Sequence, residues 1–225
     1  MSIPGCRIVT DFERPSRELV EAFRNLPVAN IDDCMNRLAA VDPAIRPVNK
    51  APLLGTAFTV KVPEGDNLMF HKAMDLAREG DVIVIDAGGD TRRAIFGELM
   101  LNYCHKRGIA GVIVDGSIRD VDAISQMDIP VYAKGVTPNG PYKNGPGEIN
   151  VPVVFGGQVV RPGDIVVGDA DGIIIVRPED AEAVLEETHK TQQKEADIMA
   201  NILGKSSYVR PWVDELLTGI KCEIK

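Results

Sequence analysis

An acidic residue and an Arg-Asp pair are the residues of this sequence whose types and spacing best fit a chemical site. Glu98 stands in the stretch GELM, and Arg119 and Asp120 stand in the stretch SIRD. Each stretch follows an apolar run, DVIVIDAGG or AGVIVDG, that predicts a strand buried on both faces. Ligands of open α/β sheets bind where loops leave the carboxyl ends of the strands. We therefore expect both stretches to border one ligand.

The ligand that these residue types favour is a small anion beside a divalent cation. A helix that begins at GELM presents unpaired backbone N–H groups and the positive end of its dipole, which together bind a carboxylate. Arg119 can hold a carboxylate through two parallel hydrogen bonds, and Asp120 offers a hard oxygen ligand to Mg²⁺. A 2-oxo acid would use both charges, with its carboxylate on Arg119 and its keto oxygen on the metal.

A purely structural interpretation competes with this one. Ser117-x-x-Asp120 matches a capping box, so Asp120 could do no more than satisfy backbone donors of its own helix. Glu98 in a first helical turn is stabilised by the helix dipole in any case. The spacing alone favours the structural interpretation, whereas Arg119 favours the ligand, because a cap needs no arginine between its members.

Composition argues against several other functions. The formal net charge of −8 opposes a nucleic-acid binder, because that task needs a concentrated basic face. Without a bilayer-length apolar run or a signal pattern at the N-terminus, we expect a cytoplasmic protein with no membrane partner. The four cysteines lack metal-ligand spacing. No nucleophile elbow accompanies the histidines, which lie in predicted helices, so no catalytic triad is expected: they are His71, His105 and His189.

Strands and helices alternate along most of the chain, which predicts an α/β fold with a parallel or mixed sheet. Helices are predicted at SRELVEAFRNLP, at IDDCMNRLAA from Asp32 or Asp33, at EGDNLMFHKAMDLAREG, at GELMLNYCHKRG and at SIRDVDAISQM; further strands are predicted at GTAFTVKV and IPVYAKG. Beyond Gly135 short strands and turns follow, so residues 1–177 are predicted to form one domain with a β-rich C-terminal half. A long polar helix from Pro178 makes residues 178–225 a helical arm that we expect to pack on a neighbouring subunit.

Much of the chain resembles a known family. The segment from GDVIVIDAGGD through GELMLNYCHKRGIAGVIVDGSIRDVDAI, continued by PV, GG-V-PGD and GD-DG, resembles the 4-hydroxy-4-methyl-2-oxoglutarate / 4-carboxy-4-hydroxy-2-oxoadipate aldolases. The same family contains RraA, the regulator of ribonuclease E activity A. The resemblance implies an α/β three-layer sandwich related to phosphohistidine swivelling domains, with a mixed sheet and flanking helices. It also implies a homotrimer, or a hexamer built as a dimer of trimers, with sites at subunit interfaces.

The resemblance assigns a role to each residue of the two stretches. Arg119 grips the pyruvyl carboxylate, and Asp120 anchors Mg²⁺ or Mn²⁺. The substrate-binding turn is made of Gly97, Glu98, Leu99 and Met100. The aldolases carry Asp where this chain carries Glu98, which is a departure from the family pattern. In the family an adjacent subunit also supplies acidic residues, and by position these correspond to Asp33 and Glu195.

We therefore predict a divalent-metal-dependent lyase that cleaves 4-hydroxy-2-oxo acids to pyruvate and decarboxylates oxaloacetate through the same enolate. The metal and Arg119 would stabilise the enolate oxygen, and Glu98 would relay protons. Neither predicted site loop holds a lysine, so metal chemistry is favoured over an imine on Lys61 or Lys134. The alternative is a regulator that binds a ribonuclease. A methyltransferase is suggested only by IDAGGD, an incomplete glycine motif.

Overall fold

Runs of Val and Ile build one mixed sheet of ten strands in the computed structural model, which describes residues 3–223. The strands of the chain are β1 (Cys6–Ile8), β2 (Arg46–Pro47), β3 (Leu53–Lys61), β4 (Asp81–Asp86), β5 (Ala94–Phe96), β6 (Gly111–Ile118), β7 (Val131–Val136), β8 (Gly147–Ile149), β9 (Val153–Phe155), β10 (Gln158–Val160), β11 (Ile165–Gly168) and β12 (Ile173–Val176). The helices are α1 (Arg17–Glu21), α2 (Val28–Cys34), α3 (Leu68–Leu76), α4 (Glu98–Lys106), α5 (Val121–Ile124), α6 (Ala181–Lys205) and α7 (Pro211–Gly219), and a 3₁₀ turn, Pro178–Asp180, precedes α6.

The centre of the sheet is parallel, and β2, β8 and β11 join it in the antiparallel direction. The main path runs in the order β1-β8-β3-β4-β6-β7-β2, and β3, β4, β6 and β7 are parallel to one another. The strand β11 pairs antiparallel with both β3 and β12, while β9 and β10 form a separate hairpin. Because the central strands share a direction, the segments that follow β3, β4 and β6 all leave from one edge of the sheet.

Helices cover one face of the central strands, and the β9–β10 hairpin packs on the other. Phe70 of α3 and Leu101 of α4 belong to the first cluster of buried side chains, and Phe155 of β9 belongs to the second. A third cluster joins β11 and β12 to α1, α2 and the start of α6. This arrangement confirms the predicted α/β class with a mixed sheet and flanking helices, and the burial of both faces explains why residues 82–85 of β4 are continuously apolar.

Several helix boundaries differ from the sequence predictions. The helix α1, predicted to continue until Pro27, ends at Glu21. The helix α2 begins at Val28, directly after Pro27, so the predicted entry through Asp32 or Asp33 is wrong. The predicted helix from Ser117 is also wrong in its first turn, because β6 continues as a strand to Ile118. Pairing with β5 on one side and β7 on the other extends the strand, which leaves only Val121–Ile124 for α5.

The C-terminal arm starts inside the core and then leaves it. The first turns of α6 bury Ala181, Val184 and Thr188, whereas further along the arm Leu203 and Trp212 are exposed. The predicted boundary at Pro178 falls on the 3₁₀ turn that leads into α6. None of the helices in residues 3–223 combines the length with the apolar character that a bilayer span requires. The packing of the arm on a neighbouring subunit stays a prediction.

A buried ion pair ties the N-terminal segment to the first residue of β4. The Arg14 guanidinium donates two hydrogen bonds to the Asp81 carboxylate, at 2.9 and 2.8 Å, and lies 3.9 Å from the centre of the Phe12 ring. Asp81 also accepts the backbone N–H of Arg78 at 2.8 Å. Since the Asp81 side chain is only 1% exposed, Arg14 supplies the charge that compensates this buried carboxylate.

Arg14→Met is expected to lower the free energy of unfolding by about 3 kcal/mol, because it leaves a buried carboxylate without its partner. Arg7→Met is the matched control: it breaks the Arg7–Glu148 pair, in which the arginine side chain is 66% exposed. That loss should stay below about 1 kcal/mol. Urea denaturation of both variants measures the difference, and equal losses would contradict the role given to Arg14.

Candidate active site

A left-handed backbone residue brings the two predicted stretches together. Asp120 follows β6 with φ 60° and ψ 35°, a conformation that Asp tolerates better than most residues. Its Oδ2 accepts the backbone N–H of Glu98 at 3.0 Å. Glu98 is the first residue of α4, so the carboxylate of Asp120 caps a helix that precedes it in the chain. Glu98, Arg119 and Asp120 thus meet at the carboxyl edge of the sheet.

This contact corrects the capping-box interpretation. Ser117 lies in β6, and its hydroxyl donates to the backbone carbonyl of Thr91 at 3.0 Å rather than to a helix. Asp120 precedes α5, and its side chain makes no capping hydrogen bond to that helix. Asp120 is therefore a cap, as the structural interpretation expects, but the helix that it caps is α4.

Gly97 is required for this close approach. A Cβ atom on Gly97 would overlap Oδ2 of Asp120 and would lie 2.9 Å from Cγ of Arg119. The Gly97 backbone is extended, with φ −147° and ψ −163°, so steric room rather than backbone conformation is the reason for the glycine. Any larger residue at position 97 would push the Arg-Asp pair away from the start of α4.

The first turn of α4 retains free donors. Asp120 uses the N–H of Glu98, while within residues 3–223 the N–H groups of Leu99 and Met100 have no acceptor. Leu99 is 85% exposed, so this end of the helix is open to solvent. Unpaired N–H groups and the positive end of the helix dipole favour an anion here.

Arg119 and Glu98 keep their charged groups available. The backbone N–H of Arg119 donates to the carbonyl of Phe96 at 3.0 Å, which fixes the start of the side chain. Its guanidinium lies 3.7 Å from Oδ2 of Asp120 and makes no hydrogen bond with residues 3–223. The carboxylate of Glu98 likewise has no partner in that part of the chain. A ligand can therefore engage both groups without breaking an existing hydrogen bond.

Two clefts flank the Arg-Asp pair. The first, about 430 Å³, is lined by the start of α4 together with side chains of α3 and of the segment after β7. The second, about 560 Å³, lies on the α5 side, where Val121, Val136 and Pro138 supply apolar walls. Because Arg119 and Asp120 border both clefts, a ligand on the arginine can extend into either one.

The first cleft contains residues that the sequence analysis missed. Asn67 and His71 lie one helical turn apart at the start of α3, and Lys143 comes from the segment after β7. Asn67 and His71 could have been found from their four-residue spacing after a predicted strand. That spacing places both on one face of a helix, at the carboxyl edge of the sheet where ligands bind. No local pattern marks Lys143, because it lies in an irregular segment.

His71 is biased toward its neutral form. The pKa of His71 is lowered, mainly by burial and then by the positive charge of Lys143. The negative charge of Asp75 acts in the opposite direction and raises it. The imidazole is therefore uncharged at neutral pH and can both donate and accept a hydrogen bond. Beside it, the Nδ2 of Asn67 donates to the carbonyl of Ile95 at 2.8 Å.

The donor set around Asp120 fits a hydrated divalent cation better than a dehydrated one. Residues 3–223 contain no group of three or more His, Cys, Asp or Glu side chains with metal-binding geometry. Asp120 offers Oδ1, which has no partner in that range, on a side chain that is 43% exposed. A single carboxylate oxygen completed by waters and a ligand is an arrangement that suits Mg²⁺.

The two acids assigned to an adjacent subunit lie elsewhere in this chain. Asp33 of α2 forms an ion pair with Arg37 at 2.9 Å. Glu195 of α6 accepts a hydrogen bond from Asn30 Nδ2 at 2.8 Å. Neither acid lines the two clefts beside Arg119. A role for them in the site would therefore require a second subunit, and it stays a prediction.

Lys143→Met is expected to raise the pKa of His71, because it removes a positive charge that disfavours the imidazolium. Asp75→Asn should shift the same pKa in the opposite direction, since Asp75 favours the charged form. An NMR titration of the histidine ring resonances measures both shifts. A His71 pKa that is unchanged in the Lys143 variant would contradict the proximity of the two side chains.

A family model and a curated relative identify the family of this chain. The family model described as RraA-like, Aldolase/RraA, matches residues 28–175. A Halalkalibacterium halodurans protein, provisionally named 4-hydroxy-4-methyl-2-oxoglutarate aldolase, is 39% identical over 201 residues, which cover 87% of this chain and 96% of the relative.

Solved structures show the same likeness. An uncharacterized Pseudomonas syringae protein matches the fold with a TM-score of 0.76 at 23% identity, over 88% of this chain and 98% of its own. Streptomyces coelicolor RraAS2, described as an unusual member of the RNase ES inhibitor RraA family, matches with a TM-score of 0.73 at 26% identity, over 83% of this chain and 98% of its own. This chain belongs to the RraA-like (Aldolase/RraA) family.

Proposed function

We propose that this protein is a divalent-metal-dependent lyase that cleaves 4-hydroxy-2-oxo acids to pyruvate and also decarboxylates oxaloacetate. The observation that carries the proposal is the meeting of Arg119, Asp120 and Glu98 at the open N-terminus of α4. The 39% identity to a relative provisionally named 4-hydroxy-4-methyl-2-oxoglutarate aldolase supports the substrate class, to which we also assign 4-carboxy-4-hydroxy-2-oxoadipate.

Binding of the 2-oxo acid uses the free donors of the site. The guanidinium of Arg119 holds the carboxylate through parallel hydrogen bonds, and the N–H groups of Leu99 and Met100 add donors from the start of α4. Asp120 is the residue that would hold Mg²⁺ or Mn²⁺, through its uncommitted Oδ1. When bound, the cation supplies Lewis-acid polarisation of the keto oxygen.

Cleavage requires proton transfer at two positions of the substrate. Glu98, whose carboxylate has no partner within residues 3–223, accepts the proton of the C4 hydroxyl. The C3–C4 bond breaks, C4 becomes a carbonyl carbon, and the electron pair enters the enolate of pyruvate. Arg119 stabilises the negative charge that develops at this end of the substrate. The proton then returns to C3 and completes pyruvate.

Oxaloacetate reaches the same enolate by a simpler route. Its C3–C4 bond breaks with loss of carbon dioxide, and the electron pair passes to the enolate as before. The enolate then takes a proton from solvent water at C3 to give pyruvate. No hydroxyl proton has to be removed, so the step needs the charge-stabilising residues but not the base. The two reactions therefore separate the role of Glu98 from the roles of Arg119 and Asp120.

Arg119→Met and Asp120→Asn are each expected to lower turnover in both reactions by about 10²- to 10³-fold, the effect of removing a key charge-stabilising group. Glu98→Gln should lower aldol cleavage strongly and leave oxaloacetate decarboxylation within about threefold of wild type, because only the first reaction needs the base. Coupled assays of pyruvate release, with Mg²⁺, Mn²⁺ or chelator, measure all three variants. Near-normal activity of the Arg119 variant would overturn the proposal.

The proposal includes assembly into a homotrimer or a hexamer, with Asp33 and Glu195 reaching the site of a neighbouring subunit. Exposed apolar side chains along the C-terminal arm, such as Leu203, Trp212 and Leu216, support a contact between subunits. Apolar surface of this kind is a common feature of subunit interfaces.

A second candidate function is that of a regulator that binds a ribonuclease. The likeness to Streptomyces coelicolor RraAS2, named as a member of an RNase ES inhibitor family, favours it. If the protein inhibits a ribonuclease by docking, inhibition should survive Arg119→Met, since that substitution changes one side chain of the proposed site and leaves the rest of the surface intact. An RNA-cleavage assay with a purified RNase E-type enzyme measures this. The lack of any inhibition by the wild-type protein would remove the candidate.

A further inference from the structure

The segment from Asn139 to Gly145, called the cleft wall below, forms one side of the 430 Å³ cleft. Gly140, Pro141 and Lys143 line the cleft. A Cβ atom on Gly140 would lie 3.5 Å from Nη1 of Arg119, so the wall borders the guanidinium directly. Apart from one isolated bridge, between Asp66 and Tyr142, the wall belongs to no helix or strand. Three backbone hydrogen bonds hold Asn139 and Tyr142 of the wall to the segments before α3 and in β5. The rest of the wall is held by side-chain hydrogen bonds.

Asp66 joins the wall to the start of α3. The carboxylate is buried, with the residue 3% exposed. Its Oδ1 accepts the N–H of Leu68 at 2.9 Å, and its Oδ2 accepts the N–H groups of Asn144 at 2.6 Å and Gly145 at 3.0 Å. One side chain thus holds the backbone on both sides of the cleft, next to Asn67 on α3 and next to Lys143 on the wall.

Arg93 holds the other half of the wall. Its Nη1 donates to the carbonyl of Gly140 at 2.8 Å, and its Nη2 donates to the hydroxyl of Tyr142 at 2.8 Å. The guanidinium also lies 4.0 Å from the centre of the Tyr142 ring. Gly65 leaves room for this arginine, since a Cβ atom there would lie 2.7 Å from Cδ of Arg93. Neither Arg93 nor Asp66 lines the cleft itself.

We propose that Asp66 and Arg93 are positioning residues that fix the cleft wall, placing Gly140 against Arg119 and Lys143 near His71 for substrate binding. The inference about substrate rests on the proposed function, whereas the placement of the wall does not. Loss of either residue frees the part of the wall that the backbone bonds at Asn139 and Tyr142 do not hold. Without Arg93 this part is Gly140, and without Asp66 it is the turn from Lys143 to Gly145. Glu98, Arg119 and Asp120 stay in place, since their own contacts lie between β6 and α4.

The first test measures the position of Lys143 without any substrate. In Asp66→Asn one acceptor oxygen becomes a donor, and in Arg93→Met the bonds to Gly140 and Tyr142 are lost. Each change should raise the pKa of His71 toward the value in Lys143→Met, because Lys143 moves away from the imidazole. NMR titration of the His71 ring gives the readout. Where either variant fails to fold, Arg93→Lys, which keeps the charge but loses the planar fork, decides instead.

Two matched variants control for general loss of stability. Asp164→Asn changes another buried aspartate, 4% exposed, whose Oδ2 accepts the N–H of Arg161 away from the cleft. Arg92→Met changes the neighbouring arginine, whose guanidinium pairs with Glu64 and Asp90 rather than with the wall. Both controls should leave the pKa of His71 unchanged. A shift of equal size in controls and wall variants, or no shift in the wall variants, would overturn the inference.

The second test separates binding from chemistry. In Asp66→Asn and Arg93→Met the KM for oxaloacetate should rise about tenfold while kcat stays within about threefold, because the wall contributes to binding and the charge-stabilising residues are untouched. A fall in kcat with an unchanged KM would count against the wall as a binding element. If wild type releases no pyruvate, the proposed function fails, and the His71 titration still decides the placement of the wall.

Discussion

The hydrogen bond from the Glu98 N–H to the Asp120 carboxylate is the contact on which the rest of the site depends. It joins the first residue of α4 to the segment that follows β6. Three local features permit it: the left-handed backbone of Asp120, the absence of a side chain at Gly97, and the pairing of β5 with β6. Each of them lets the first residue of α4 lie close to the end of β6.

The same contact explains how adjacent opposite charges remain usable. Arg119 and Asp120 would ordinarily neutralise each other, yet the Oδ2 of Asp120 is engaged by a backbone donor and the guanidinium lies 3.7 Å away. The pair is about half exposed, so a direct ion pair would contribute little. Within the described residues 3–223, the guanidinium of Arg119 makes no hydrogen bond and one oxygen of Asp120 has no partner. Both groups lie beside N–H groups of α4 that have no acceptor in the same range.

Around this centre the cleft is assembled from distant parts of the chain. The residues at the start of α3 come from the connection after β3, those of α4 follow β5, and the cleft wall follows β7. Parallel strands bring these connections to one edge. The wall has almost no regular structure of its own, so the buried carboxylate of Asp66 and the guanidinium of Arg93 add to the few backbone hydrogen bonds that hold it.

The sequence by itself determined the α/β class, the buried strands at DVIVIDAGG and AGVIVDG, and the helix at GELMLNYCHKRG, because apolar periodicity and glycine stops are local signals. It also placed Glu98 and the Arg-Asp pair at strand ends. Only the tertiary structure decided that Asp120 caps α4 rather than α5, and that His71 and Lys143 share the cleft. Both depend on contacts between segments far apart in the chain. In the sequence, a capping residue looks the same whichever helix it caps. The packing of the sheet decides which helix that is.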